Sequence, residues 1–253
     1  MRIFCFSGTG NSYYIATKIC AHFCVQPELI TSYKDETTVE VEDSQIGIVA
    51  PVYLNDIPKV VKEFVLGLSI ANPDAYVFAV LSSGSGKNKS GFKNIQLALA
   101  QREARLALAY DIAMPSSFRE RAGMDDQLAA VPVKIEEIAK AIEAGSKNYT
   151  PYDQATLPKN FTKLSFMYRP LSRMSVTEKC TGCGLCKRLC PTDNITITDE
   201  RAVRGKNCIA CTACANWCPE QAISSRMLKG QYHHPDVFAS DLLPNQKGVN
   251  DEC

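Results

Sequence analysis

The 253-residue chain contains no apolar run near the roughly 20 residues a membrane-spanning helix needs, so no membrane association is expected. Its 28 Lys and Arg are matched by 27 Asp and Glu. This balance excludes the strongly basic, aromatic-laced surface that nucleic acid binding wants. No Gly-Lys-Ser/Thr follows a strand, which excludes a P-loop, and the Gly8-x-Gly10 pair lacks the third glycine of a dinucleotide fingerprint. No general acid, base or nucleophile constellation is visible either. Three histidines are present, and the adjacent His233-His234 pair has no partner at ligand spacing. Residues 227–253 are therefore expected to form a mobile C-terminal tail.

What the chain does have is cysteine, 12 in all. Eight fall in two runs, Cys180-x-x-Cys183-x-x-Cys186-x-x-x-Cys190-Pro191 and Cys208-x-x-Cys211-x-x-Cys214-x-x-x-Cys218-Pro219, the second repeating the first 28 positions later. Short loops with two-residue gaps can turn several thiolates toward one small body, which a helix alone cannot. Thiolates at these spacings are the ligands of iron–sulfur clusters. A proline after each fourth cysteine stops the helical turn there. Two competing readings are weaker. A disulfide framework requires an oxidising compartment, yet nothing at the N-terminus resembles a signal peptide. A zinc site uses two pairs closing one tetrahedron rather than two repeats of four. Oxygen-sensitive clusters and free thiols point to a reducing cytoplasm. Cys5, Cys20 and Cys24 have apolar neighbours and are expected to be buried.

Residues 173–226 resemble the bacterial-type ferredoxin with two 4Fe-4S clusters. That resemblance implies a small α+β module with crossed ligation: Cys180, Cys183, Cys186 and Cys218 on one cluster, Cys208, Cys211, Cys214 and Cys190 on the other. The small residues Gly182, Gly184, Ala210 and Ala213 would let backbone amides approach the sulfurs. Ile195 and Ile223 occupy equivalent places in the halves and would wall the clusters. Ile195–Thr198 and Ala202–Arg204 read as a hairpin. This segment carries eight Lys and Arg against five Asp and Glu, whereas residues 1–145 carry 14 against 17. The surplus cations (Lys179, Lys187, Arg188, Arg204, Lys206) are expected to offset cluster charge.

At the other end, the apolar run Arg2-Ile3-Phe4-Cys5-Phe6 feeds into Ser7-Gly8-Thr9-Gly10-Asn11-Ser12. A helix follows with Ile15, Ala16, Ile19, Cys20 and Phe23 on one face. Strand, hydroxyl-rich loop and helix form an anion site, with backbone amides and hydroxyls around a phosphate and no cation. The hexamer resembles the phosphate loop of flavodoxin, Ser-x-Thr-Gly-Asn-Ser/Thr, which implies FMN as the ligand. Downstream, Ile46–Ala50 and Tyr76–Leu81 read as buried strands and Val39–Val41 as an edge strand. Asp56 is expected to cap a helix carrying Ile57, Val60, Val61, Phe64, Val65 and Leu68. A helix over 91–105, a strand over 106–114 and a helix over 132–144 complete the pattern.

This alternation predicts a flavodoxin-like, doubly wound α/β fold over 1–145: a five-stranded parallel sheet in the order 2-1-3-4-5, with ligands beyond the strands' carboxyl ends. The loops leaving those ends are 7–12, Pro51-Val52-Tyr53-Leu54-Asn55 and Ser82-Ser83-Gly84-Ser85-Gly86. Tyr53 is the candidate for stacking on the flavin ring. Met114–Phe118 could border the same pocket, and residues 119–131 read as a solvated face. Residues 146–172, rich in Pro, Asn, Lys and Tyr, read as a linker packing along the first domain.

Nearly the whole chain resembles the flavodoxin–ferredoxin fusions of anaerobic prokaryotes. It implies an electron-transfer protein relaying single electrons between two 4Fe-4S clusters and FMN, exchanging them with a redox protein partner. The alternative is an iron–sulfur flavoprotein oxidoreductase that reduces a small molecule at the FMN. Neither the donor nor the oligomeric state is legible.

Overall fold

The computed structural model describes residues 1–53, 56–118, 123–149 and 173–244. Alternation along the strands decides the architecture, because successive side chains face opposite sides of a sheet. In β1 (Arg2–Cys5), Phe4 joins one buried cluster while Ile3 and Cys5 join the other. The same division runs through the longer strands and yields two apolar layers, one on each face.

The strands are β1, β2 (Pro27–Leu29), β3 (Val39–Val41), β4 (Gln45–Pro51), β5 (Leu68–Ile70), β6 (Tyr76–Ser83) and β7 (Leu106–Ala113). Five of them form one parallel sheet in the order β2-β1-β4-β6-β7. Counted among the sheet's own strands, that is the expected 2-1-3-4-5. Helices α1 (Asn11–His22) and α4 (Met124–Glu143) cover one face, with Ile15, Ile19, Ile135 and Ile138 buried against Phe78 and Val80. Helices α2 (Lys59–Gly67) and α3 (Lys89–Ala100) cover the other, burying Val61, Phe64, Ile95 and Leu99.

Several expectations need correcting. Val39–Val41 is a strand but not the sheet's edge; it pairs in parallel with Leu68–Ile70 as a separate ribbon, and Pro27–Leu29 takes the edge. Arg2 reaches both segments, its guanidinium donating to Glu28 on β2 at 2.7 Å and to the Glu40 carbonyl at 3.0 Å. Asp56 makes no helix cap. Its carboxylate accepts from the Ile57 amide and from the Asn94 side chain, and Pro58 occupies the N-cap position of α2. Helix α4 begins at Met124 and runs through Pro132. The proline forfeits one backbone bond, while Asp125 and Asp126 favour the helix start and the buried Val131, Ile135, Ile138 and Ile142 stripe anchors the rest. Cys5 and Cys20 are buried as expected, but Cys24 is exposed.

The cysteine-rich segment adds β8 (Ser175–Val176), β9 (Ile195–Thr198), β10 (Arg201–Arg204) and β11 (Ile223–Ser224). The β9–β10 hairpin is as expected, and β11 pairs antiparallel with β8. Two single-turn helices, Leu185–Arg188 and Ala213–Asn216, complete a small α+β unit. It lies against the α2/α3 side of the sheet: Leu189, Ala213 and Trp217 share one buried cluster with Phe4, Phe6 and Tyr53. The segment after it is not a free tail as far as Pro244. Val237 and Leu242 are in the same cluster, and His234 is 2% exposed. The linker over 146–172 lies outside the described residues from Thr150 onward, as do Leu54, Asn55 and Cys253. No helix among the described residues is long and apolar enough to cross a membrane.

Candidate functional site

Two loop systems carry the chemistry, and they meet. The first begins where β1 ends. Gly10 takes a left-handed turn at φ 93°, a conformation natural to glycine, and α1 starts at Asn11 without a side-chain cap. The first-turn amides of that helix have no intrahelical acceptor, and no acidic residue occupies that turn. Ser7 Oγ accepts the Gly10 amide at 3.0 Å, and Ser12 Oγ shares a 2.8 Å hydrogen bond with Ser82 Oγ across to β6. Asn11 Nδ2 donates to the Pro115 carbonyl at 2.9 Å. Thr9, Asn11 and Ser12 are buried polar residues gathered at the sheet's carboxyl edge.

They line a cleft of about 520 Å³ with Ser7, Gly8, Pro51, Val52, Tyr53, Ser82, Ser83 and Gly84. That volume lies within the range of small-molecule and cofactor sites. Met114–Phe118 form its far wall, as one sequence reading allowed, and the Asn11–Pro115 bond ties that wall to the phosphate loop. Among the described residues, three expected ones do not line it. Gly10 faces the C-terminal segment, and Ser85 and Gly86 curl back, with the Gly86 amide on Ser83 Oγ and a Cβ at Gly86 lying 3.1 Å from Ala113 Cβ. Three residues not anticipated by the sequence do line it: Arg226, Met227 and Lys229. No motif marks them, because only the fold brings the chain back from the cysteine unit to the cleft.

The second system shows the 28-residue repeat in its backbone. Left-handed φ recurs at Gly182 and Ala210 (68° and 57°), at Gly184 and Thr212 (76° and 60°), and at Asp193 and Gln221 (48° and 49°). Thr212 is thus the counterpart of Gly184, and Ala213 lies in the following helical turn. Only glycine fits at 182, where a Cβ would lie 2.6 Å from the Glu200 carbonyl oxygen. These turns aim amides at sulfur. Asn194 N donates to Cys190 Sγ and Ala222 N to Cys218 Sγ, each at 3.3 Å, while Ala202 N and Ala210 N donate to Cys180 and Cys208 at 3.4 Å. Arg204 Nη2 lies 3.0 Å from Cys208 Sγ, the one contact of a basic side chain with sulfur among those expected to offset charge. Such donors stabilise sulfur that carries negative charge.

The thiols fall into two neighbourhoods. Cys180, Cys183, Cys186 and Cys218 line one hollow. Burial raises the Cys186 thiol to about 11, and Cys183, Cys180 and Cys218 add to it. Burial likewise raises Cys211 well above the ordinary value, with Cys214, Cys190 and Cys208 contributing. Cys214 rises to about 12, chiefly through burial, opposed by Arg204. Ile195 and Ile223 are buried beside Cys214 and border Cys180, Cys186 and Cys190. Among the described residues no three His, Cys, Asp or Glu side chains converge at the spacing of a single metal ion. The described cysteines are free thiols.

A pH test follows. Thiols whose pKa is higher folded than unfolded stabilise the fold below the unfolded value and lose that contribution as pH rises through the folded one. Iron-free protein should lose stability between the ordinary thiol value of 9.0 and about 12. Iron-loaded protein, with the thiolates of both runs committed to metal, should lose less, keeping only the contribution of the buried Cys5 and Cys20 thiols. Denaturant titrations at stepped pH measure both, and a flat iron-free profile would contradict the burial of these thiols.

The two systems touch at Gly8. A side chain there would collide with the Cys211 carbonyl oxygen, and Tyr53 Oη lies 2.9 Å from the same point. Trp217 Nε1 donates to the Gly8 carbonyl at 3.0 Å. Cys211 is buried at this junction, Cys214 is buried in the neighbouring cluster of Ile195 and Ile223, and Cys183 is exposed. The Cys211 set is therefore the one set against the cleft, through the Cys211 loop at Gly8.

Residues 174–230 match the 4Fe-4S dicluster domain family. This segment is thus of the iron–sulfur class, whose chemistry is one-electron transfer. No curated protein matches the chain. Among solved structures, an FMN-dependent NADH-azoreductase from Bacillus anthracis in complex with FMN aligns at 11% identity and a TM-score of 0.36, over 55% of this chain and 97% of its own. A flavodoxin from Streptococcus pneumoniae aligns at 11% identity and a TM-score of 0.34, over 56% and 95%. The strand order itself, rather than these distant likenesses, identifies the fold.

Proposed function

We propose that the chain relays single electrons between two 4Fe-4S clusters, held by the two cysteine sets, and an FMN held in the cleft. The contact of the Cys211 loop with Gly8 carries this reading, since it sets the inner cysteine set directly against the loop that resembles a flavin phosphate site. The residues fit both groups. Crossed ligation is supported by Cys218 lining the hollow of Cys180, Cys183 and Cys186, and by Cys190 neighbouring Cys211. Four backbone amides and Arg204 already point at sulfur. For the flavin, the uncapped start of α1 and the buried hydroxyls of Thr9 and Ser12 suit a phosphate, and Tyr53 borders the cleft as the candidate ring contact.

FMN, when bound, exchanges one or two electrons where each cluster passes one, so it would convert between the two kinds of chemistry. The chain's own part is positioning and insulation. Trp217 and Gly8 hold the inner loop to the cleft wall, and the apolar cluster of Phe4, Phe6, Tyr53 and Ala213 keeps water from the junction. The exposure of Cys183 suits the outer set to meet an external redox protein. Arg226 and Lys229, exposed on the cleft wall, favour a second reading in which a small anionic molecule is reduced there.

The test is anaerobic purification with iron, acid-labile sulfide and flavin analysis, followed by stepwise reduction monitored by EPR and flavin absorbance together. Near eight iron atoms per chain, bound FMN and flavin reduction that tracks cluster reduction are expected. Cluster reduction with the flavin left oxidised throughout would discard the relay.

A further inference from the structure

A segment that leaves the cysteine unit packs against the phosphate loop. Directly after that unit, Gln231 Nε2 donates to the carbonyls of Ala215 at 2.7 Å and Cys218 at 2.9 Å, and the Tyr232 amide donates to Asn216 Oδ1 at 2.8 Å. These bonds moor the segment to the inner cysteine loop. It then crosses to the phosphate loop. Tyr232 Oη donates to Asn11 Oδ1 at 2.6 Å, and the His234 amide donates to the Thr9 carbonyl at 2.8 Å. A Cβ on Gly10 would lie 3.0 Å from both His234 Cβ and Val237 Cβ, so the segment lies flush on that turn. The His234 ring stacks on Tyr14 of α1 at 4.0 Å, and the His233 ring stacks on Trp217 at 4.2 Å. Adjacent rings thus pack on different neighbours, His234 on the helix behind the loop and His233 on the tryptophan that bonds Gly8.

We propose that residues 229–237 are a latch holding the phosphate loop in its binding conformation, and that Tyr232 is the positioning residue acting through Asn11. Asn11 is held from two sides, its oxygen by Tyr232 and its amide by the Pro115 carbonyl. Its backbone, the first residue of α1, therefore has one orientation. Because the latch is moored on Ala215, Asn216 and Cys218, disorder in the inner cysteine loop passes to the phosphate loop, so cofactor retention in the cleft depends on an intact cysteine unit. This rests on the cleft being a flavin site, so the test separates the two claims.

Tyr232→Phe in the full, iron-loaded chain removes one hydroxyl and keeps the ring. Iron content should stay at the wild-type level. In flavin-stripped protein, amide hydrogen exchange over residues 8–13 should become about five-fold faster, a measurement that needs no FMN. The FMN dissociation constant, read by fluorescence quenching, should rise by a similar factor. Adding Tyr232→Phe to Asn11→Ala should cost nothing further, since the hydroxyl acts through that side chain. Unchanged exchange and affinity in Tyr232→Phe, or full additivity with Asn11→Ala, would overturn the latch. Faster exchange in a chain whose wild type takes up no FMN would uphold the latch and remove the flavin reading instead.

Discussion

Gly8→Ala should destabilise the protein by about 1–3 kcal/mol and weaken flavin binding by an order of magnitude or more. The added methyl would enter the Cys211 carbonyl oxygen, with Tyr53 Oη 2.9 Å away, and neither is the free end of a flexible chain. Relief requires the inner cysteine loop and the phosphate loop to part. Parting them stretches the Trp217–Gly8 hydrogen bond, which contributes about 1 kcal/mol in a buried setting. Gly84→Ala is the control on the opposite wall of the cleft, where the nearest atom, Ser116 Cβ, lies 3.9 Å from the new Cβ. It should leave stability within about 0.5 kcal/mol of wild type. Thermal unfolding and FMN titration of both variants measure the difference. A Gly8→Ala protein with wild-type flavin affinity would show that the two loop systems are not mechanically joined.

The second large effect separates two cysteines with the same proposed chemistry. Cys183→Ser and Cys211→Ser should each remove roughly half of the iron, since each takes one ligand from a different set. Beyond that they should diverge. Cys183 is exposed and borders only its own hollow, so flavin affinity should stay at the wild-type level. Cys211 is buried under the phosphate loop, where a serine left without iron places an extra polar group in an apolar junction at a cost of about 1–3 kcal/mol. Its variant should lose flavin affinity along with iron. Iron and sulfide analysis beside FMN titration decides, and the reverse pattern would invert the assignment of inner and outer sets.

The parts legible in the sequence are those set by local pattern. Short apolar runs placed β4, β6 and β7, and the strand–loop–helix start marked the phosphate loop. The 28-residue spacing that marks the cysteine repeat reappears in six backbone angles, because identical ligand spacing demands identical turns. Where the sequence reading failed, the deciding partner was remote or a weak local signal was outvoted. Val39–Val41 looks like any edge strand, and only the location of Leu68–Ile70 removes it from the sheet. Pro132 looks like a helix start, yet burial of the stripe on either side carries the helix through it.

By itself, then, the amino-acid order determined which chemistry the chain carries: eight thiols in repeating turns and a hydroxyl-rich loop ahead of a helix. It left open how these stand to one another. The Trp217–Gly8 and Tyr232–Asn11 bonds span 209 and 221 positions, and no pattern of neighbouring residues encodes a contact at that separation. Tertiary packing decided that the second cysteine run faces inward and the first outward, that Arg226, Met227 and Lys229 join the cleft wall, and that the segment after them packs on the phosphate loop. The physical reason is that Trp217, Val237 and Leu242 find their apolar partners on the α2/α3 side of the sheet, and burying them there brings the loops they flank together.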